Sequence, residues 1–90
     1  MFELEIVIRL RGRFDAAQAE RVQPRLEAVH TSAVVDFAEL TYISSAALGL
    51  LFAAQKRLQE AGHELVLVNL SPHVREVFAI AGFDSIFRIE

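Results

Sequence analysis

The stretch that decides the fold is Ser44–Leu70, "SSAALGLLFAAQKRLQEAGHELVLVNL". Two hydroxyl residues precede nine apolar or small ones, Ala46 to Ala54. A serine hydroxyl can accept from the orphan N–H groups of a first helical turn, so Ser44 or Ser45 opens a helix. Leu51 and Leu58 fall two turns apart and should share its buried face, while Gln55 and Lys56 are expected in solvent. The helix should reach Ala61 and stop at Gly62, a residue suited to the left-handed position past a helix end. "ELVLVNL" follows, apolar on both faces, which predicts a strand inside a sheet and not at its edge.

The same alternation of elements extends in both directions. Downstream, "SPHVREVFAIAG" starts with Ser71 as N-cap and Pro72 at the first helical position. It places Val74, Val77, Phe78 and Ala81 on one stripe and ends at Gly82. "SIFRIE" closes the chain as a short strand or turn. Upstream, "AVVDFA" (Ala33–Ala38) reads as a short strand and "ELTY" as the loop after it. "DAAQAERVQPRLEAVH" has Ala19, Val22, Leu26 and Val29 at helical spacing, with Asp15 as N-cap and Gln18 three residues on, as in a capping box. Pro24 lacks a backbone donor and predicts a bend there. "FELEIVIRLRGRF" alternates, with Phe2, Leu4, Ile6, Ile8, Leu10 and Phe14 on one face. Glu3, Glu5, Arg9, Arg11 and Arg13 take the other, and Gly12 marks a bulge or bend. Strand and helix alternate four strands to three helices, so the fold class is α/β with at least part of the sheet parallel.

Composition excludes several function classes. Ninety residues suffice for one domain, taken as residues 1–90. There is no Cys, so disulfides, thiol catalysis and cysteine metal sites are out. A net charge of −3 argues against tracking a phosphate backbone, hence no nucleic-acid partner is expected. The longest apolar run falls well short of the roughly 20 residues that span a bilayer. With no signal peptide in "MFELEIVIRL", the expectation is a cytoplasmic protein without membrane insertion. The four glycines are scattered, which leaves no dinucleotide fingerprint, P-loop or nucleophile elbow. His30, His63 and His73 lie in separate segments with no metal-ligand spacing, so no cofactor, metal or catalytic residue is expected. Asp36, on an apolar strand, is read as a carboxylate that satisfies loop donors. The Arg9–Arg11–Arg13 stripe is read as a solvated face balanced by Glu3 and Glu5.

Ser44-Ser45 and its surroundings carry a resemblance. "VVDFAELTYISSAALGLLFAAQKRLQEAGHELVLVNLSPHVREVFAIAGFDSIFRI", with "LRGRFDAAQAERVQPRLE" before it, resembles the STAS domain of bacterial anti-sigma factor antagonists. That family has an L-x-G-x-[LF]-D start to its first helix and a strand ending in Asp. I-D-S-S-G-L-G-x-L then opens a helix, and a glycine, a strand, S-P and a last helix follow. The resemblance implies a mixed sheet of four to five strands with helices packed mainly on one side.

It also implies a switch. The phosphorylated Ser of the family falls on Ser45, its preceding Asp on Ser44, the second Ser on Ala46 and the Gly on Ala47, while Asp15 matches an Asp near the phosphorylated Ser. Partner contacts are therefore expected at Asp15, Ser44, Ser45, Ala46 and Ala47. The unmodified protein would bind an anti-sigma factor that is a serine kinase, phosphorylation would end binding, and a serine phosphatase would restore it. An alternative of another class is an accessory subunit that docks, unphosphorylated, on the ATPase of a lipid transporter. The family often has a further edge strand. Only one strand precedes Gly12 here, which leaves an edge open to another chain, a homodimer included.

Overall fold

A computed structural model of the protein describes residues 6–90. The outward and inward positions expected at Phe2, Glu3, Leu4 and Glu5 lie outside the described residues. Seven elements follow in chain order: β1 Ile6–Phe14, α1 Ala16–Glu27, β2 Ala33–Ile43, α2 Ser45–Glu60, β3 Leu65–Val68, α3 Pro72–Ile80 and β4 Arg88–Ile89. The strands lie in sequence order, β1-β2-β3-β4, so the "ELVLVNL" strand is internal as expected.

One feature of the expected sheet is corrected. Among the described residues every ladder is parallel, where a mixed sheet was expected. Each strand is joined to the next through a helix, which returns the chain to the same end of the sheet and forces parallel pairing. Because each crossover also steps in the same direction, the usual right hand puts all three helices on one face. Burial agrees: Ile8, Leu10, Val35, Phe37, Leu65 and Leu67 point to a single core shared with Val22 and Leu26 of α1, Leu51 and Leu58 of α2, and Val74 and Phe78 of α3. On the other face Val7 and Arg9 are exposed, and Val34, Asp36, Val66 and Val68 are half-buried.

β2 is longer than expected and absorbs the "ELTY" segment. Arg9 and Arg11 pair with Asp36 and Glu39, and Gly12 and Arg13 with Leu40 and Tyr42, so β2 twice carries one residue more than β1. Each extra residue reverses the alternation. The inward set on β2 therefore runs Ala33, Val35, Phe37, Leu40, Ile43, all buried. Gly12 sits at the second irregularity with φ +63°, a left-handed conformation that costs glycine little.

The helix signals hold in detail. Asp15, Ser44 and Ser71 each cap a helix by accepting from the backbone N–H three residues on, at 3.0, 3.2 and 3.2 Å. Gln18 does not complete a reciprocal box; its amide donates to the Arg11 carbonyl at 3.0 Å. α1 continues unbroken through Pro24 to Glu27. Ala81, placed on the apolar stripe of α3 by spacing, is exposed past the end of the helix.

Gln55 departs from expectation most sharply. It is buried at 1% exposure, not solvated, while Lys56 is exposed as expected. Gln55 stands four residues after Leu51 and three before Leu58, on the same inward stripe. Its Oε1 accepts from Leu65 N–H at 2.7 Å and its Nε2 donates to the Ile86 carbonyl at 2.9 Å. One side chain thus ties α2 to the start of β3 and to the segment before β4.

Candidate functional site

Parallel strands joined by helices bring three helix N-termini to one edge of the sheet, the end at which the strands finish. Phe14 pairs with Ile43 in the last step of the β1–β2 ladder. The next residue on each chain is the cap of a helix, so Asp15 and Ser44 emerge side by side. The Ser44 N–H donates to the Phe14 carbonyl at 3.0 Å, which fixes where α2 begins relative to β1. The Ser44 carbonyl accepts from Leu48 N–H at 3.0 Å, and its hydroxyl serves Ala47 N–H. Ser44 is fully occupied as a cap and is half-buried.

Ser45 is placed differently. It is the first residue of α2, exposed, and its hydroxyl makes no hydrogen bond among the described residues. No acidic residue lies in the first turn of α1, α2 or α3. The positive ends of the helix dipoles are thus offset at this edge by little besides the Asp15 carboxylate. A hydroxyl here is reachable, and an added negative charge meets a favourable local field.

The five residues expected to meet a partner separate on inspection. Ser45 and Ala46 are exposed and Asp15 and Ser44 half-buried, so these four form one surface patch. Ala47 is completely buried, and its methyl belongs to the core. The residue that sequence reading missed is Phe14, whose backbone carbonyl anchors the site. A signal was present, since "RFD" and "YIS" both end a strand in an apolar residue followed by a capping one.

Asp36 forms a second polar cluster, away from the helix ends on the open face of the sheet. Its carboxylate accepts from Asn69 Nδ2 at 3.0 Å and from the Ala38 N–H at 2.9 Å, and lies 3.5 Å from Arg9. The Asn69 amide and the Ala38 N–H, helped by the Arg9 guanidinium, hold its carboxyl below the usual carboxylate range, against the opposing effect of burial. The role is structural: Asp36 satisfies the N–H that the first bulge of β2 turns away from the ladder. No group of His, Asp and Glu side chains among the described residues is arranged to hold a metal ion. His30 and His73 are exposed and His63 half-buried. No helix of the described residues is long and apolar enough to cross a membrane.

Comparisons with known proteins agree with this geometry. The family described as "Mlab, STAS domain" matches residues 3–88. BtrV of Bordetella bronchiseptica, named as an anti-sigma factor antagonist, is 43% identical over 84 residues, covering 89% of this chain and 72% of its own. The anti-sigma-B factor antagonist of Listeria monocytogenes is 33% identical, covering 88% and 73%. Among solved structures, the anti-sigma factor antagonist SpoIIAA in its unphosphorylated form superposes with a TM-score of 0.81 at 28% identity, over 100% of this chain and 84% of that one. A helix capped by one serine and opened by a second, set at the strand ends of this sheet, is therefore a feature of a chain that belongs to the STAS domain family, with anti-sigma factor antagonists among its relatives.

Proposed function

We propose that this protein is an anti-sigma factor antagonist switched by phosphorylation of Ser45. In its unmodified form it binds an anti-sigma factor of the serine-kinase type and so frees a sigma factor in the cytoplasm. The partner kinase transfers a phosphoryl group to Ser45 Oγ, binding is lost, and a serine phosphatase restores it. The observation that carries the proposal is the division of labour at the α2 N-terminus: Ser44 is consumed as the cap, and Ser45 beside it is exposed and free. The similarity to SpoIIAA supports it, since that protein's structure is known in a phosphorylated form too, at a TM-score of 0.74 and 25% identity.

The physics of the switch follows from the position. A phosphate brings about −1.5 to −2 charge at pH 7. On an exposed first-turn residue that charge is favoured by the helix dipole and disturbs no packed group, so the fold survives modification. The same charge pressed into a partner's surface without a counter-ion is unfavourable. Modification therefore acts on the complex and not on the domain. The accessory-subunit reading is not adopted, because the curated relatives named above are antagonists.

Incubation with the kinase-type anti-sigma factor and ATP, followed by intact mass and tryptic mapping, tests the site. One phosphate on Ser45, absent from Ser45→Ala, is the expected result. Phosphate on Ser44, or none on either serine, would overturn the assignment.

A further inference from the structure

Arg9, Arg11 and Arg13 are all exposed on the open side of β1, but their surroundings differ. Arg9 lies 3.5 Å from Asp36 and Arg11 3.3 Å from Glu39, so each is answered by a carboxylate of β2. Arg88 of β4 is answered likewise by Glu64 at 3.0 Å. Arg13 meets no carboxylate among the described residues. Its guanidinium stacks instead on Tyr42, 4.1 Å from the ring centroid. A ring restrains an arginine without neutralising it. Arg13 is thus an exposed cation, ordered but uncompensated.

Its place in the sheet gives this pair a use. Arg13 and Tyr42 face each other one step before Phe14 and Ile43, whose next residues are Asp15 and Ser44. From Tyr42 to Ser45 the chain spans at most about 11 Å, even fully extended. A standard interface covers roughly 800 Å² of each partner, a patch that reaches about 16 Å from its centre. A footprint of that size centred on Ser45 takes in Arg13 and Tyr42. Arg13 also adds a full positive charge to an edge where the helix dipoles are offset by little besides Asp15.

We infer that Arg13, held on Tyr42, is a specificity-determining residue of this interface and pairs with a carboxylate on the kinase-type anti-sigma factor. The inference rests on the reading of Ser45 as that partner's target. Arginine and tyrosine are among the residue types that dominate binding energy at protein interfaces. A guanidinium already ordered on a ring loses less freedom on binding than a mobile one. A partner without a carboxylate here would leave Arg13 covered and unpaired, which selects against it. The switch gains a second basis as well. The carboxylate that Arg13 attracts is one that a phosphate on Ser45 repels.

Titration calorimetry of the unmodified chain against the kinase-type anti-sigma factor tests the inference. Arg13→Gln should fold like wild type by circular dichroism, yet raise Kd at least about tenfold at low salt. Its Kd should also depend less steeply on salt than that of wild type. Arg13→Glu should bind more weakly still, because it sets like charges against each other. Arg88→Gln removes the same charge from β4, which starts level with Val66 and far from Ser45, and should bind like wild type. Wild-type affinity in Arg13→Gln, an equal loss in Arg88→Gln, or no further loss in Arg13→Glu overturns the inference and leaves the reading of Ser45 in place. A wild type that does not bind the anti-sigma factor overturns both.

Discussion

Ser44 and Ser45 differ by one position and by everything that matters chemically. Ser44→Ala removes the acceptor for Ala47 N–H and should lower stability by about 0.5–2 kcal/mol in urea titration, while phosphate is still accepted at Ser45. Ser45→Ala, which deletes an exposed hydroxyl without a bond, should melt like wild type. Gln55 is the opposite case. Gln55→Ala leaves the buried Leu65 N–H and the part-buried Ile86 carbonyl without this partner, and at about 1–3 kcal/mol for an orphaned buried group it should cost at least about 1 kcal/mol. Urea unfolding of that variant would refute the tie if it overlaid wild type. Asp36 sets an acid limit. Its folded pKa lies below the unfolded value near 3.9, so its contribution is fully present above that value and is lost as pH falls through the folded pKa. Asp36→Asn should therefore be less stable at neutral pH and show a flatter fall below about pH 4, measured by urea midpoints against pH.

At the scale of elements, α2 holds the domain together. Leu51 is completely buried and Leu58 nearly so, and Leu51→Ala should cost about 2–5 kcal/mol by the same titration, whereas Lys56→Ala should change little. This is the element most legible from sequence: its serine start, its Gly62 stop and its leucine stripe all stood in one stretch. Gln55 is polar and on that ground predicts a solvated position, although it sits in the leucine register, where an inward residue fits. β2 is longer than its local pattern predicts for a related reason. Two extra residues break its alternation, so "ELTYI" lacks a period-2 pattern even though Thr41, Tyr42 and Ile43 favour strands. Pairing with β1, a long-range fact, restores what local periodicity hides. The parallel sense of the sheet had the same origin, since it follows from the crossovers and not from any strand's own pattern.

For the whole molecule, sequence order in the sheet places all three helices on one face and all three N-termini at one edge, the edge at which the proposed switch at Ser45 lies. The candidate site was legible as a serine pair, but only the fold separates the serine that caps from the one that is free, and only the fold removes Ala47 from the surface. Ser45→Asp should keep the fold, since a carboxylate at a helix N-terminus contributes about 0.3–1 kcal/mol, yet weaken the complex with the anti-sigma factor. The most direct measurement uses the natural modification: titration calorimetry of the unmodified and the Ser45-phosphorylated chain against the same kinase-type anti-sigma factor. An unpaired interfacial charge costs about 2 kcal/mol or more, so phosphorylation should raise Kd roughly 30-fold at least. Equal affinity of the two forms, with both folded, would contradict the account.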